Sequence, residues 1–365
     1  MPVNKRLFYA CEQISVAPLG SSSFTAIHGA QRAGVNSNFN LTQAFEIGQI
    51  NIYENVEGIP QVEITTEKVL DGHPLIYHLC TQGATAGTLA GRSNQRSHIS
   101  LDYFPDTNDS ATGRPVSELE CSGVFVSQLG YTFSVGGFST EQVSLVGNNH
   151  VWVTNNTFKV TGGFTSNADQ PLAITGSGGV NDRRDFIWAN PHTADRDANG
   201  AVGNLNSVSG TILPRSVYGI SSSGTNDLVT GQYNVHAQSI SCSTNLGREE
   251  ILELGRLGPY HRPTSFPVTV TTSIEVIATS GNMVSFTETG FYGSGCNLYN
   301  LVDETIKVLT CEGTRLNLGP NNKLTGISET GGDATGGNRT ITYTYENQNF
   351  MVVQHPQDPT TALRP

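Results

Sequence analysis

The chain has 365 residues, 36% hydrophobic and only 14% charged, where ordinary globular proteins carry about a quarter charged. Its 40 glycines and abundant Ser, Thr and Asn exclude a helical bundle, because Thr and Val favour strands while Asn, Ser and Gly favour turns. The net charge of −11, from 31 acids against 20 bases, excludes stable nucleic-acid binding, whose affinity comes mostly from phosphate neutralisation.

In chain order, Lys5 and Arg6 are not followed by an apolar stretch of signal-peptide length. Apolar residues nowhere run long enough for a membrane span. The expectation is a protein made in a cytoplasm, with no membrane anchor. Val62 and Ile64 begin a short alternating strand, and Thr65 or Thr66 is placed to cap a helix over 67–70. Gly72-His73-Pro74 interrupts that helix, and Leu75, Ile76 and Leu79 continue an apolar face. Residues 81–119 read as a long polar loop, and strands are expected at 123–135 and 142–146. Residues 162–232, again rich in Gly, Ser, Asn and Asp, read as a connector, with Asp182-Arg183-Arg184-Asp185 as an ion-pair set. Further strands are expected at 236–243, 305–310 and 340–345. Asn245 can cap a short helix that has Glu249 and Glu250 in its early turns and ends at Gly255. Beyond it, Val268, Val270, Thr272, Ile274 and Val276 alternate with polar residues, the pattern of a strand with one buried face.

Two stretches about 207 residues apart share a pattern. Asn40-Leu41, Glu46-Ile47-Gly48-Gln49, Tyr53, Pro60 and Val62-Glu63-Ile64-Thr65-Thr66 match Asn245-Leu246, Glu253-Leu254-Gly255-Arg256, Tyr260, Pro267 and Val268-Thr269-Val270-Thr271-Thr272. A second match sets Gly136-Gly137, Thr140, Val143 and Leu145 against Gly336-Gly337, Thr340, Tyr343 and Tyr345. Duplication is the preferred reading over one large β domain with recurrent turns. It gives a first β domain over 1–161 with 81–119 as a loop insertion, a connector over 162–232, and a second β domain over 233–365.

Enzyme signatures are missing from the sequence. No G-x-S-x-G elbow or phosphate-binding loop occurs, and Gly176-Ser177-Gly178-Gly179 lacks the needed Lys. His73 and His78 are five apart around a proline, a spacing that does not place both on one helical face for zinc. The six cysteines (Cys11, Cys80, Cys121, Cys242, Cys296, Cys311) form no C-x-x-C pair and read as buried thiols. No catalytic residue, cofactor or metal is expected.

Residues 38–79, 238–277 and 324–347 resemble the tail tube (major tail) proteins of long-tailed bacteriophages. The resemblance implies a mainly β, tail-tube-type β-barrel or β-sandwich, here in two tandem copies with short helices and long loops. It further implies a virion tail protein, assembled in the host cytoplasm, whose rings stack into an acidic conduit through which DNA passes in transit. The partners implied are the chain itself, in rings of three or six copies, and other tail proteins such as sheath, terminator and baseplate. Candidate inter-subunit contacts are Asn40, Leu41, Glu46, Gly48 and Gln49 with Asn245, Leu246, Glu253, Gly255 and Arg256. Packing inside the domain is the alternative for Phe45, Ile47, Ile251 and Leu254. The long loops are placed to meet adjacent rings, a sheath or solvent. Competing readings are another virion component (terminator, baseplate or capsid cement) and a carbohydrate-binding receptor using Trp152 and the tyrosines of 340–345.

Overall fold

The computed structural model describes residues 7, 9–105, 114–154, 158, 160, 179–181, 186–190, 237–256, 258–278, 306–310, 312–332 and 337–359. Cys296, Cys311 and the Asp182–Asp185 cluster lie outside them. The fold is mainly β, with large antiparallel sheets and a few short helices.

The first half holds β1 (Glu12–Pro18), β2 (Thr25–Ala26), β3 (Ala30–Asn38), β4 (Leu41–Phe45), β5 (Ile52–Glu57) and β6 (Gln61–Val69). Helices α1 (Ile76–Cys80) and α2 (Leu89–Ser93) follow, then β7 (Ser97–Tyr103), β8 (Ser117–Ser134), β9 (Thr140–Gly147) and β10 (His150–Val153). Two local expectations fail here. Residues 67–69 continue β6, and no helix forms over 67–70, because the alternation of Val62, Ile64 and Thr66 into the core carries on against β3 and β9. Residues 81–119 are no plain loop: they hold α2, β7 and the start of β8.

β8 spans 18 residues and serves two sheets. Its first part pairs with β7 on one side and β10 on the other; its second part pairs with β9 and β12. The bend falls at Gly123, the extra residue of a bulge against β7, at a φ of 69° that glycine adopts without strain.

The second half holds β11 (Phe186–Asn190), β12 (Ala237–Asn245), β13 (Thr269–Ile277), β14 (Lys307–Thr310), β15 (Arg315–Asn317), β16 (Lys323–Thr330), β17 (Thr340–Gln348) and β18 (Val352–Gln354). Strand β11 falls inside the stretch expected as connector. Among the described residues no helix follows Asn245; 248–256 and 258–264 form a loose hairpin with bridges Arg248–Thr264 and Ile251–His261.

The two halves repeat one topology. Order β1-β7-β8-β10 in the first matches β11-β14-β15-β18 in the second, and β3-β6-β9-β8 matches β12-β13-β17-β16. The register irregularities match as well. β3 is irregular between Ala30 and Arg32, and β12 between Ala237 and Ser239. β8 is irregular between Val126 and Gln128, and β16 between Leu324 and Gly326. At that second bulge Ser127 donates to the Ser144 carbonyl at 3.1 Å and Thr325 to the Thr344 carbonyl at 3.2 Å. These registers equate Val62 with Val270, two residues beyond the partner that sequence matching chose; an even shift keeps the same faces inward.

β8 and β12 join the halves, so eight strands form one open sheet in the order β3-β6-β9-β8-β12-β13-β17-β16. One face packs into a single core that includes Ile64, Leu145, Tyr131, Cys242, Ile274 and Tyr343. Cys11, Cys80, Cys121 and Cys242 are free and buried, and burial pushes the thiols of Cys80, Cys121 and Cys242 up to about 12.

Buried charge fixes the helical region to this core. Glu141 of β9 accepts from the Ile76 and Tyr77 backbone amides at 2.6 and 3.2 Å and from Tyr131 Oη at 2.8 Å, so it caps α1. Lys68 Nζ donates to Asp71 at 3.0 Å and to the Pro74 carbonyl at 3.0 Å. Arg92 grips Asp358 through both terminal nitrogens, at 2.7 and 2.8 Å, tying α2 to the end of the second half.

Asp102 of β7 is fully buried, accepts from Ser15 Oγ at 2.9 Å and from Ser100 Oγ, and lies opposite Glu118 in the ladder, with Glu120 nearby. Burial, aided by those two glutamates, pushes its carboxyl up to about 7. The folded state therefore holds a proton that the unfolded chain releases near pH 4. This group's contribution to stability is present below that pH and is lost as pH rises through 7. Asp102 therefore contributes a downward slope of at most ~1.4 kcal/mol per pH unit between about pH 4 and 7, against the upward slope that buried His78 and His355 contribute below about pH 6.5. In urea unfolding followed from pH 5 to 8, Asp102→Asn should lose that downward component relative to wild type; an identical pH dependence in the two proteins would contradict the assignment.

Candidate assembly surface

β4 and β5 pair only with each other among the described residues, and they stand away from the core. A lone two-stranded hairpin is marginal in water, yet this one displays large apolar side chains. Ile47 and Ile50 at its tip are wholly exposed, and Phe39, Leu41, Phe45 and Tyr53 are each 60–68% exposed. Packing inside the domain therefore does not hold Phe45 or Ile47. Exposed apolar side chains grouped on one hairpin make it the candidate for an interaction surface.

The first group of sequence candidates falls on this hairpin. Asn40 adopts a positive φ of 47° at its base, with its amide bonded to Asn38 Oδ1 at 3.1 Å and its carbonyl accepting from Gly58 at 3.1 Å. Leu41 opens β4. Glu46, Gly48 and Gln49 form the tip turn: the Gln49 amide bonds the Glu46 carbonyl at 3.2 Å, with Gly48 at a φ of 94°.

The second group lies on the matching hairpin, and the match is close. Gly247, at a φ of 50°, bonds Asn245 Oδ1 at 2.9 Å, and its carbonyl accepts from Ser265 at 2.9 Å. The tip repeats the turn, with the Arg256 amide on the Glu253 carbonyl and Gly255 at a φ of 82°. Asn245 is thus equivalent to Asn38, and Leu246 to Phe39, a shift of two from the sequence pairing. Leu246 is fully buried and leaves the surface set, because its amide bonds the Ser127 carbonyl at 2.8 Å beside β8. Its counterpart Phe39 is open. Glu253, Arg256, Ile251 and Leu254 are exposed; Arg256 lies over the Tyr260 ring at 5.6 Å and 3.7 Å from Glu253.

What distinguishes the hairpins is that the second is seated on the first half of the chain. Arg248 donates to the carbonyls of Val126 at 2.8 Å and Ser93 at 2.5 Å, and its guanidinium lies over Phe125 at 5.3 Å. Arg262 bonds Asn148 Oδ1 at 2.5 and 3.0 Å, and His261 meets the Phe125 ring edge-on at 5.6 Å. Sequence reading missed Arg248 and Arg262. The signal was present as two arginines where the first hairpin has Leu41 and Asn55, but only the ladder registers align them.

The remaining candidates sit elsewhere. His78 is buried with Nε2 3.2 Å from the Val353 carbonyl, and burial lowers it to about 3; His73 stacks on His28 at 4.1 Å. Tyr343 and Tyr345 are fully buried core residues and cannot form a sugar platform, while Trp152 is half exposed and stacked on Tyr103 at 5.7 Å.

No family model matches the chain, and no curated protein matches it. Among solved structures, it is similar to the anti-feeding prophage cap (a tube-terminating cap), at 11% identity and a TM-score of 0.32, over 42% of this chain and 95% of that one. A tube and sheath complex of an extracellular contractile injection system gives 10% and 0.32, over 42% and 94%. The tail of an empty GTA particle gives 10% and 0.26, over 39% and 94%. TM-scores at this level do not establish a common fold.

If the tip is a docking element, Ile47→Glu with Ile50→Glu should leave folding stability within about 0.5 kcal/mol, as for surface changes generally. It should also abolish concentration-dependent association in sedimentation velocity. Loss of folding, or association like that of wild type, would contradict this role.

Proposed function

We propose that the chain is a structural tail protein whose rings stack into a tube for DNA in transit. The observation that carries this reading is the open eight-stranded sheet, made of two like units, whose end strands β3 and β16 each have one unpaired edge among the described residues. An open edge presents unpaired backbone donors and acceptors and is a template for another strand. A head-to-tail contact between opposite edges closes into a ring when the rotation per subunit allows it.

The face of the sheet away from the core fits a conduit. Its six central strands show Ser, Thr and Gln there, and from Gly123 of β8 onward their exposed or half-exposed charges are Glu63, Glu67, Glu275 and Glu346, with half-exposed Glu120 on the earlier part of β8. Bases occur only toward the edges, as Arg32 and Lys323. A polar, acid-bearing wall wets readily and repels phosphate, so DNA slides past without sticking. The role requires no catalysis.

The tail-tube resemblance carries six barrels per ring. With two units per chain, three copies supply them; sheath, terminator and baseplate are the expected neighbours, in a tail assembled in the host cytoplasm. Native mass spectrometry tests the count. Three chains of 39.0 kDa give rings of about 117 kDa, and stacked rings should be visible by negative-stain microscopy. Rings of twice that mass would overturn the three-chain reading, and rings that never stack would favour a terminator or decoration role.

A further inference from the structure

Among the described residues the sheet has one junction between its two like units, and each end strand of the sheet is the structural counterpart of one side of that junction. Inside the chain, β8 pairs with β12, from Ser134–Ser239 to Gln128–Asn245. β16 is the counterpart of β8, as the shared bulge and its Ser127 and Thr325 hydrogen bonds fix residue by residue. β3 is the counterpart of β12: both have nine residues, start at Ala, end at Asn, and carry the same irregularity and the same Asn turn.

We propose that β16 of one copy pairs with β3 of a second copy in the register of the internal β8–β12 junction, with the β4–β5 hairpin of the second copy seated on the end of the first copy's sheet. This rests on the self-assembling reading above and gives it a specific contact. Transfer of the internal register sets Asn36 opposite Ser328, Gly34 opposite Thr330 and Asn38 opposite Gly326.

Exposure supports the transfer. On the core side of β12, Ile240, Cys242 and Thr244 are buried, while their counterparts Ala33, Val35 and Ser37 on β3 are only half covered. Leu129 of β8 is buried and its counterpart Ile327 is half covered. Leu246 is buried and Phe39 is open. Every difference has the sign expected if a neighbouring strand is present in one place and awaited in the other. The hairpin seat transfers with its chemistry changed. His261 on Phe125 becomes Glu54 beside Lys323, a pair of opposite charge, and Arg262 on Asn148 becomes Asn55 beside Gln348.

Cysteine pairs on the polar face test the register without disturbing the core, since Asn36 and Ser328 are both exposed. Under mild oxidation, Asn36→Cys with Ser328→Cys in one chain should give covalent rings and ladders of chains on non-reducing gels. Asn38→Cys with Thr330→Cys, four residues out of register, should give at least tenfold less. Rings visible by microscopy with no preferential Asn36–Ser328 crosslink would overturn this contact while leaving the tube reading standing. Persistent monomers with no crosslink at any concentration would overturn both.

Discussion

The ladder between β8 and β12 is the interaction on which the molecule depends. It is an ordinary antiparallel pairing, yet it converts two four-stranded layers into one sheet with a shared core. It can do so because β8 is long enough to act twice. Up to Gly123 it belongs to the layer with β7, and beyond it to the layer with β9 and β12. The second unit splits the same role between β15 and β16, so the sheet ends on a shorter, more polar strand. Such an edge is less prone to indiscriminate pairing than a long apolar one.

The same ladder explains why equivalent residues have different fates. Phe39 and Leu246 occupy one position in the repeated unit, as do Ile47 and Leu254, or Glu54 and His261. The second hairpin is pinned by Arg248 and Arg262 to carbonyls and to Asn148 of its own chain. The first has no comparable anchors on its own chain among the described residues, and its apolar side chains remain in water. Burying an apolar side chain of this size is worth ~1.5–3 kcal/mol before the cost of association. Several together can hold a neighbour.

Much of this was legible in the sequence, through period-two alternation. Val268 to Val276, 142–146 and 340–345 read as strands because one face had to be buried, and they are β13, β9 and β17. The tip match of Glu46-Ile47-Gly48-Gln49 with Glu253-Leu254-Gly255-Arg256 was legible because a positive-φ glycine leaves a mark in composition. The failures have local causes. Thr65 and Thr66 look like caps, and Asn245 with Glu249 and Glu250 looks like a helix start, but ladder partners distant in sequence override such propensities. The buried group of Glu141, Lys68, Arg92 and Asp358 was invisible, since each residue reads as a surface charge until the fold brings its partner near. The two-residue error in aligning the repeats hid the one contrast that matters, Leu246 buried against Phe39 exposed.

In the proposed assembly the chain's internal β8–β12 junction recurs between copies. A cryo-electron-microscopy reconstruction of the assembled protein would show whether it does. Three chains per ring in one closed sheet, with β3 beside β16 of the next copy and near-equal spacing at all six junctions, is the predicted result. Six chains per ring, or rings in which β3 and β16 stay apart, would contradict it.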